Sequence, residues 1–236
     1  MLDGGPGVAG SSINQEIRHA LIMAAGRGQR MMPLTESIPK PMAPYLGSTL
    51  IAEGISRLKP LVADIHVTVG YKGAMLAEHV ITHGISSVFN TRENGNAWWL
   101  YHTLLGELDQ AVLVLTCDNV VNLDLDLLQS QYRALGRPAC MLVPVRPIPG
   151  LEGDYLFLDG SRVVGLDRHR VSDCYCSGIQ VVNPRAIRRL TEATDNFYEV
   201  WRQLISTGHL SASSVYTGGW FSVDTIDQLN QLNAKE

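Results

Sequence analysis

Two arginines stand among glycines in Ala24-Ala25-Gly26-Arg27-Gly28-Gln29-Arg30, directly after an apolar run that ends at Met23. Small residues at the end of a buried strand leave backbone N–H groups bare. Guanidinium forks beside them add charge, and the combination suits the oxygens of a triphosphate. Ala24, Ala25, Gly26, Arg27, Gly28 and Arg30 are therefore the candidate nucleotide-binding residues. The loop is not a Walker loop, because no Gly-Lys-Ser/Thr follows it. It is not a dinucleotide fingerprint either, since Met31 occupies the place of the third glycine.

A lysine clamped by prolines, Pro39-Lys40-Pro41, comes next. Each proline locks its own φ and restricts its neighbour, so the lysine is aimed by its backbone. A rigidly placed ammonium can offset charge on a phosphate as a pentavalent state forms, which makes Lys40 a candidate catalytic residue. Asp118 follows the apolar run Ala111–Cys117. A carboxylate there can ligate Mg²⁺, a hard cation that bridges phosphates; it can also close an Asx turn. Tyr71, after Gly70, is placed to border a nucleobase, or is simply a loop aromatic. Trp98 and Trp99 can wall a quaternary ammonium, or sit in the core on a helix.

The elements that must carry these residues alternate. His19–Met23, Asp64–Gly70, Ser86–Asn90 and Ala111–Cys117 read as strands, and Leu50–Leu61, Ala74–His83 and Ala97–Leu108 as helices. Near-continuous apolar strands separated by helices predict an α/β fold, with a mostly parallel sheet sandwiched by helices. After Asp118 the pattern changes. Strands are predicted at Cys140–Val145 and Cys176–Val182, and a hairpin of Asp154–Leu158 and Arg162–Leu166 around Asp159-Gly160. Late strands at Val215–Tyr216 and Trp220–Val223 and helices at Phe197–Thr207 and Thr225–Asn233 complete a mixed, acceptor-shaping half. For Asp224 the reading from spacing alone is a helix cap.

Bulk composition narrows the class. Of 236 residues, 45% are hydrophobic and 18% charged, enough for a full core and against disorder. A net charge of −4 argues against nucleic acid as partner and for a small polyanion held at a local basic site. The four cysteines (Cys117, Cys140, Cys174 and Cys176) are too scattered for a disulfide scaffold, and Cys174-Tyr175-Cys176 lacks zinc-knuckle spacing. They read as reduced thiols of a cytoplasmic protein. No apolar run reaches the length of a membrane span. Residues 1–17 read as a flexible leader rich in glycine and serine.

The linked string from Ala24 through Pro33-Leu34-Thr35 to Pro39-Lys40-Pro41-Met42 resembles the signature of the sugar-phosphate nucleotidylyltransferases. These enzymes join a nucleoside triphosphate to a phosphorylated acceptor and release pyrophosphate. The resemblance implies a Rossmann-like nucleotidylyltransferase domain over 18–236, with a nucleotide half at 18–125 and an acceptor half at 126–236. It makes Lys40 the lysine on the α-phosphate and Asp118 a Mg²⁺ ligand. Trp220 to Leu229 is similar to the family's late Trp-x-x-x-Asp-Thr segment, so Asp224 is implied as the second metal ligand. Arg30 joins Lys40 and Asp118 as catalytic, and Asn96 joins the nucleotide-binding set.

The acceptor is less sharply implied. Phe89-Asn90 through Asn94-Gly95-Asn96-Ala97-Trp98-Trp99 looks like the branch that activates phosphocholine or phosphonates with CTP, with Trp98 and Trp99 on the acceptor. Cys176-Ser177-Gly178-Ile179 resembles a strand of the muramic-acid 1-phosphate uridylyltransferases, which would lay Ser177 and Gly178 against the acceptor. The expected activity is therefore a Mg²⁺-dependent transfer, CTP favoured, onto phosphocholine, a phosphonate or a similar acceptor. A uridylyl- or guanylyltransferase making a nucleotide sugar is the alternative. A non-catalytic nucleotide-sugar sensor on the same fold is a third reading. A homodimer is compatible with all three.

Overall fold

The computed structural model describes residues 15–151 and 153–234. The leader, through residue 14, lies outside the described residues, whereas Ile17 already belongs to the first strand and is fully buried. The first half runs β1 (Ile17–Met23), α1 (Leu34–Ser37), β2 (Pro44–Tyr45), β3 (Ser48–Thr49), α2 (Leu50–Leu58), β4 (Asp64–Val69), α3 (Gly73–Ile81), β5 (Ser87–Asn90), α4 (Trp98–His102) and β6 (Ala111–Thr116). The second continues with β7 (Asn119–Val121), α5 (Leu125–Ala134), β8 (Cys140–Val145), β9 (Tyr155–Asp159), β10 (Arg162–Asp167) and β11 (Tyr175–Val182). It closes with α6 (Pro184–Leu190), α7 (Phe197–Ser206), β12 (Leu210–Ala212), β13 (Trp220–Ser222) and α8 (Ile226–Asn233).

Nine strands form one sheet in the order β5-β4-β1-β6-β11-β8-β12-β10-β9. The first four are parallel, as the sequence pattern predicts, and β11 runs antiparallel to both β6 and β8. The second half of the chain thus extends the first half's sheet. Alternation along β1 explains the layers. Ala20 and Ile22 face a cluster with Ile51 and Ile55 of α2, Leu76 of α3 and Tyr132 of α5. Leu21 faces the other, with Trp99 of α4, Ile187 of α6 and Phe197 of α7. Helices therefore cover both faces, and the backbone at the strands' carboxyl ends is left to build a site. A third cluster joins Met31, Ala43 and Tyr45 to Val223, Leu229 and Leu232, which packs the start of the chain against α8.

Several boundaries differ from the sequence reading for local reasons. Helix α2 stops at Leu58, two residues before Pro60, which has no N–H to give. The helix predicted over 97–108 is broken: α4 ends at His102, Thr103 is extended, and a 3₁₀ turn covers Leu104–Glu107. Thr103 turns its hydroxyl back onto the Trp99 carbonyl at 2.8 Å, and Gly106 lies so close that an added Cβ would stand 2.1 Å from the Leu100 carbonyl oxygen. Val215–Tyr216 is not a strand; Tyr216 makes one isolated bridge to Val145. Helix α6 follows Asn183, whose side chain caps Ala186 N–H at 3.0 Å ahead of Pro184 at the first helical position.

Candidate active site

The site grows from the end of β1. Ala24 donates its N–H to Thr68 Oγ1 at 3.1 Å, and Tyr71 N–H donates to the Ala25 carbonyl at 3.0 Å, so the loop is tied to the end of β4. Gly70 permits this approach, since an added Cβ would stand 2.7 Å from the Ala25 carbonyl oxygen. Beyond that tie, the N–H groups of Ala25, Gly26, Arg27 and Gly28 have no hydrogen-bond partner among the described residues. Successive unpaired amides of this kind form a concave anion site.

Gly28 then turns the chain in the left-handed region at φ 64°. It also makes room. A Cβ there would stand 2.6 Å from Lys40 Cβ. Thr35 Oγ1 donates to the Gly28 carbonyl at 3.1 Å and Tyr71 Oη donates to the Thr35 carbonyl at 2.9 Å, which fixes the turn from behind. Lys40 opens a 3₁₀ turn after Pro39 and passes beneath Gly28, buried.

Its ammonium donates to Asp118 Oδ2 at 2.7 Å and to Asp224 Oδ1 at 2.9 Å. Arg30 Nη2 reaches the same Asp224 oxygen at 2.9 Å. Burial works against the charge on Lys40. Asp118, Cys117 and Asp224 outweigh it and hold the ammonium above the ordinary lysine range. Burial pushes the Cys117 thiol up to about 12, which leaves it protonated beside Asp118.

These groups share a cleft of about 510 Å³ at the carboxyl ends of β1, β4, β5 and β6. Ala25, Gly26, Gly28, Arg30, Lys40, Asn96, Asp118 and Asp224 line it. Thr68, Thr91, Glu93, Asn94, Gly95 and Thr116 line it too and were not singled out from the sequence. Their signal was positional: Thr68 is next to last in β4 and Thr91 follows β5, at the strand ends where open α/β sheets bind ligands.

Other candidates lie elsewhere. Ala24 is buried and its N–H is spent on Thr68. Arg27 is exposed, with its guanidinium 5.6 Å from the Tyr71 ring centre, and neither residue lines the cleft. The acceptor wall of tryptophans is not formed. Trp99 is fully buried 6.2 Å from Phe197, because α4 turns it into the core, and Trp98 stacks on His102 at 4.7 Å. The Ser177 hydroxyl is consumed internally, donating to the Val143 carbonyl at 2.6 Å and accepting from Ile179 N–H at 3.0 Å. Gly178 has φ 80° and brings β11 close to Thr116, whose Oγ1 would lie 3.1 Å from an added Cβ.

A loop of bare amides, a lysine between two carboxylates and a flanking arginine meet in this one cleft. The family model for a MobA-like NTP transferase domain matches residues 20–167. The chain belongs to that family. The match takes in the amide loop, Lys40 and Asp118. Among curated relatives, the bifunctional protein GlmU of Methanocaldococcus jannaschii is 30% identical over 107 residues, 45% of this chain and 26% of that protein. The UTP–glucose-1-phosphate uridylyltransferase AglF of Haloferax volcanii is 28% identical over 128 residues, 52% of this chain and 53% of that protein. The N-acetylmuramate alpha-1-phosphate uridylyltransferase of Neisseria meningitidis is 52% identical over 40 residues, 17% of each. The chain thus spans between 17% and 53% of these three relatives.

Solved structures share the fold over nearly the whole chain. The inositol-1-phosphate CTP transferase of T. maritima aligns with a TM-score of 0.74 at 18% identity, covering 93% of this chain and 96% of that one. The CTP:phosphocholine cytidylyltransferase of Streptococcus pneumoniae aligns with a TM-score of 0.72 at 20% identity, covering 93% and 99%. Among the described residues no helix is long and apolar enough to cross a membrane.

Proposed function

We propose that this transferase joins a nucleoside triphosphate, CTP favoured, to a small phosphorylated acceptor such as phosphocholine or a phosphonate, and releases pyrophosphate. The observation that carries the reading is Lys40 held between Asp118 and Asp224 beneath the unpaired amides of Ala25–Gly28. An acceptor oxygen, already ionised near neutral pH, attacks the α-phosphorus. The new O–P bond forms as the bond to pyrophosphate breaks, so little base catalysis is needed. The amide loop and Arg30 hold the triphosphate tail, and Lys40 offsets charge on the α-phosphate.

The two carboxylates fit a hard divalent cation such as Mg²⁺. Among the described residues they are the only acidic groups that Lys40 bridges, and no cluster of three or more His, Cys, Asp or Glu ligands occurs. The protein would then supply two oxygens, with phosphate and water supplying the rest. When bound, the ion would neutralise phosphate charge.

Glu93 supports a cationic acceptor, since it lines the cleft as a further carboxylate. The CTP preference is supported by the two structural neighbours named above, both CTP transferases. A second reading, uridylyl transfer to a sugar 1-phosphate, is favoured by the stretch shared with the muramate 1-phosphate uridylyltransferase. The test is a matrix of CTP, UTP, GTP and ATP against phosphocholine, 2-aminoethylphosphonate and several hexose 1-phosphates, read as pyrophosphate release. CTP with a cationic acceptor is expected to turn over fastest. Faster release from UTP with a hexose 1-phosphate selects the second reading. Nucleotide binding with no release from any pair overturns both and leaves a sensor.

A further inference from the structure

We propose that Lys40 and the divalent cation compete for the same two carboxylates, so that the ammonium closes the metal site until a triphosphate draws it away. The inference rests on the nucleotidylyltransferase reading and extends it to the order in which the ligands bind.

Lys40 Nζ stands 2.7 Å from Asp118 Oδ2 and 2.9 Å from Asp224 Oδ1. The three side chains are only 10%, 19% and 16% exposed, so water screens the contacts poorly. Arg30 adds a second cation, 2.9 Å from the same Asp224 oxygen. Two positive groups therefore offset the charge of this carboxylate pair in the resting site. An incoming dication would have to share the two carboxylates that the ammonium already holds, and their pull on it is offset by the two cations.

The chain provides an exit for the ammonium. A lysine head is a point charge on a flexible stem. That stem runs directly beneath Gly28, where a Cβ would stand 3.2 Å from Lys40 Cδ. The run of unpaired amides from Ala25 ends at this same Gly28. A triphosphate on those amides offers the ammonium a new anionic partner beside its stem and frees both carboxylates. Metal and nucleotide then strengthen each other's binding, and by linkage the strengthening is reciprocal.

The test measures Mn²⁺ binding without turnover, from the electron paramagnetic resonance signal of the free ion. Wild type, Lys40→Gln and Arg30→Gln are titrated alone and with α,β-methylene-CTP, which cannot transfer its nucleotidyl group. Lys40→Gln alone is expected to bind Mn²⁺ about tenfold tighter than wild type, because an uncompensated carboxylate pair strongly favours a new cation. Arg30→Gln, which changes an exposed side chain and spares the fold, should tighten it about threefold. In wild type the nucleotide analogue should tighten Mn²⁺ by more than it does in Lys40→Gln. Asp224→Asn placed in Lys40→Gln should remove the gain. Equal or weaker Mn²⁺ binding in both single variants overturns the proposal, as does a gain that survives Asp224→Asn. Failure of the transfer reading shows separately, as the absence of pyrophosphate release by wild type across the substrate matrix.

Discussion

Val223 donates its backbone N–H to the carbonyl of Asp118 at 3.0 Å, and that bond fixes the two candidate metal carboxylates against each other. It continues the antiparallel ladder of β7 and β13, in which Asn119 pairs with Ser222 and Val121 with Trp220. Asp118 precedes one strand of the ladder and Asp224 follows the other, so each emerges at the same end. Because both then converge on Lys40, they act as a unit. Asp118→Asn and Asp224→Asn should each lower turnover by about 100-fold or more, as loss of a preorganised charge contact does. Combined, they should lower it little further. Steady-state rates of the two single variants and the double variant check this. Independent, multiplying losses would show that the carboxylates serve separate steps.

Gly28 is needed twice over, for its left-handed backbone and for the room it leaves Lys40. Gly28→Ala should destabilise the fold by about 1–2 kcal/mol through the backbone alone. Its Cβ would also push on Lys40, and turnover should fall about tenfold. Gly26→Ala is the control, because open space surrounds that position and its φ is ordinary. Thermal melts on both variants separate a general intolerance of the loop from this contact, and rates on Gly28→Ala read the push on Lys40.

The sequence made the charged parts of the site legible for a physical reason. Gly-x-Gly, Pro-Lys-Pro and a carboxylate after an apolar strand are local devices, each carrying its own backbone constraint. Lys40, Asp118 and Asp224 lie far apart in the chain and meet in the structure. Trp98, Trp99 and Ser177 were misplaced because their orientation depends on packing. Trp99 packs in a cluster that includes Phe197, a residue of the other half of the chain. The same limit applies to the sheet. Local patterning revealed the parallel strands, but β12 was missed: it has three residues and exists through its pairing with β8. Helix α6 was missed as well, although Asn183-Pro184 carried its signal: a side-chain cap and a proline at the first turn coincide there.

Gln228 ties the Asp224 turn to the rest of the molecule. Its Oε1 accepts from Asp224 N–H at 2.7 Å and from Thr225 N–H at 3.0 Å, completing a capping box with Thr225. Its Nε2 donates to the Gly150 carbonyl at 3.4 Å, in the loop between β8 and β9. Gln228→Ala should leave two amides unpaired, cost about 1 kcal/mol of stability and loosen Asp224. The activating Mg²⁺ concentration should rise several-fold with little change in nucleotide KM. Gln228→Glu retains the acceptor oxygen and should restore most of the loss. A normal Mg²⁺ dependence in Gln228→Ala would confine the residue to a cap.

Gly54 lies inside α2 with nothing within 4 Å of where a Cβ would be. Neither close packing nor an unusual backbone requires a glycine there. It lines a separate cavity of about 240 Å³ between α2 and the sheet, with Ile51 and Leu115. Glycine within a helix costs about 0.8–1.0 kcal/mol relative to alanine. Gly54→Ala should therefore stabilise the protein by nearly that amount, with turnover unchanged, as urea denaturation and rates would show. A destabilised Gly54→Ala would mean that α2 sits closer to the sheet than this geometry has it.

His66 is buried beside a second histidine. It is 9% exposed, its Nε2 meets His19 Nδ1 at 3.2 Å, and its Nδ1 meets Ser87 Oγ at 2.7 Å. Burial, and then the neighbouring His19, lower its pKa to about 4, with Asp64 opposing them. The unfolded chain, with an ordinary histidine, takes up a proton near pH 6.5, whereas the folded chain resists until about pH 4. The unfolded state therefore binds more protons between those values. The contribution of His66 is fully present above pH 6.5 and is lost as pH falls toward 4, to the extent of about 1–3 kcal/mol. Urea denaturation of wild type should show stability falling across this window, and His66→Gln should flatten the fall while leaving the profile above pH 7 parallel. An equally steep acid loss in His66→Gln would assign the proton uptake to other groups.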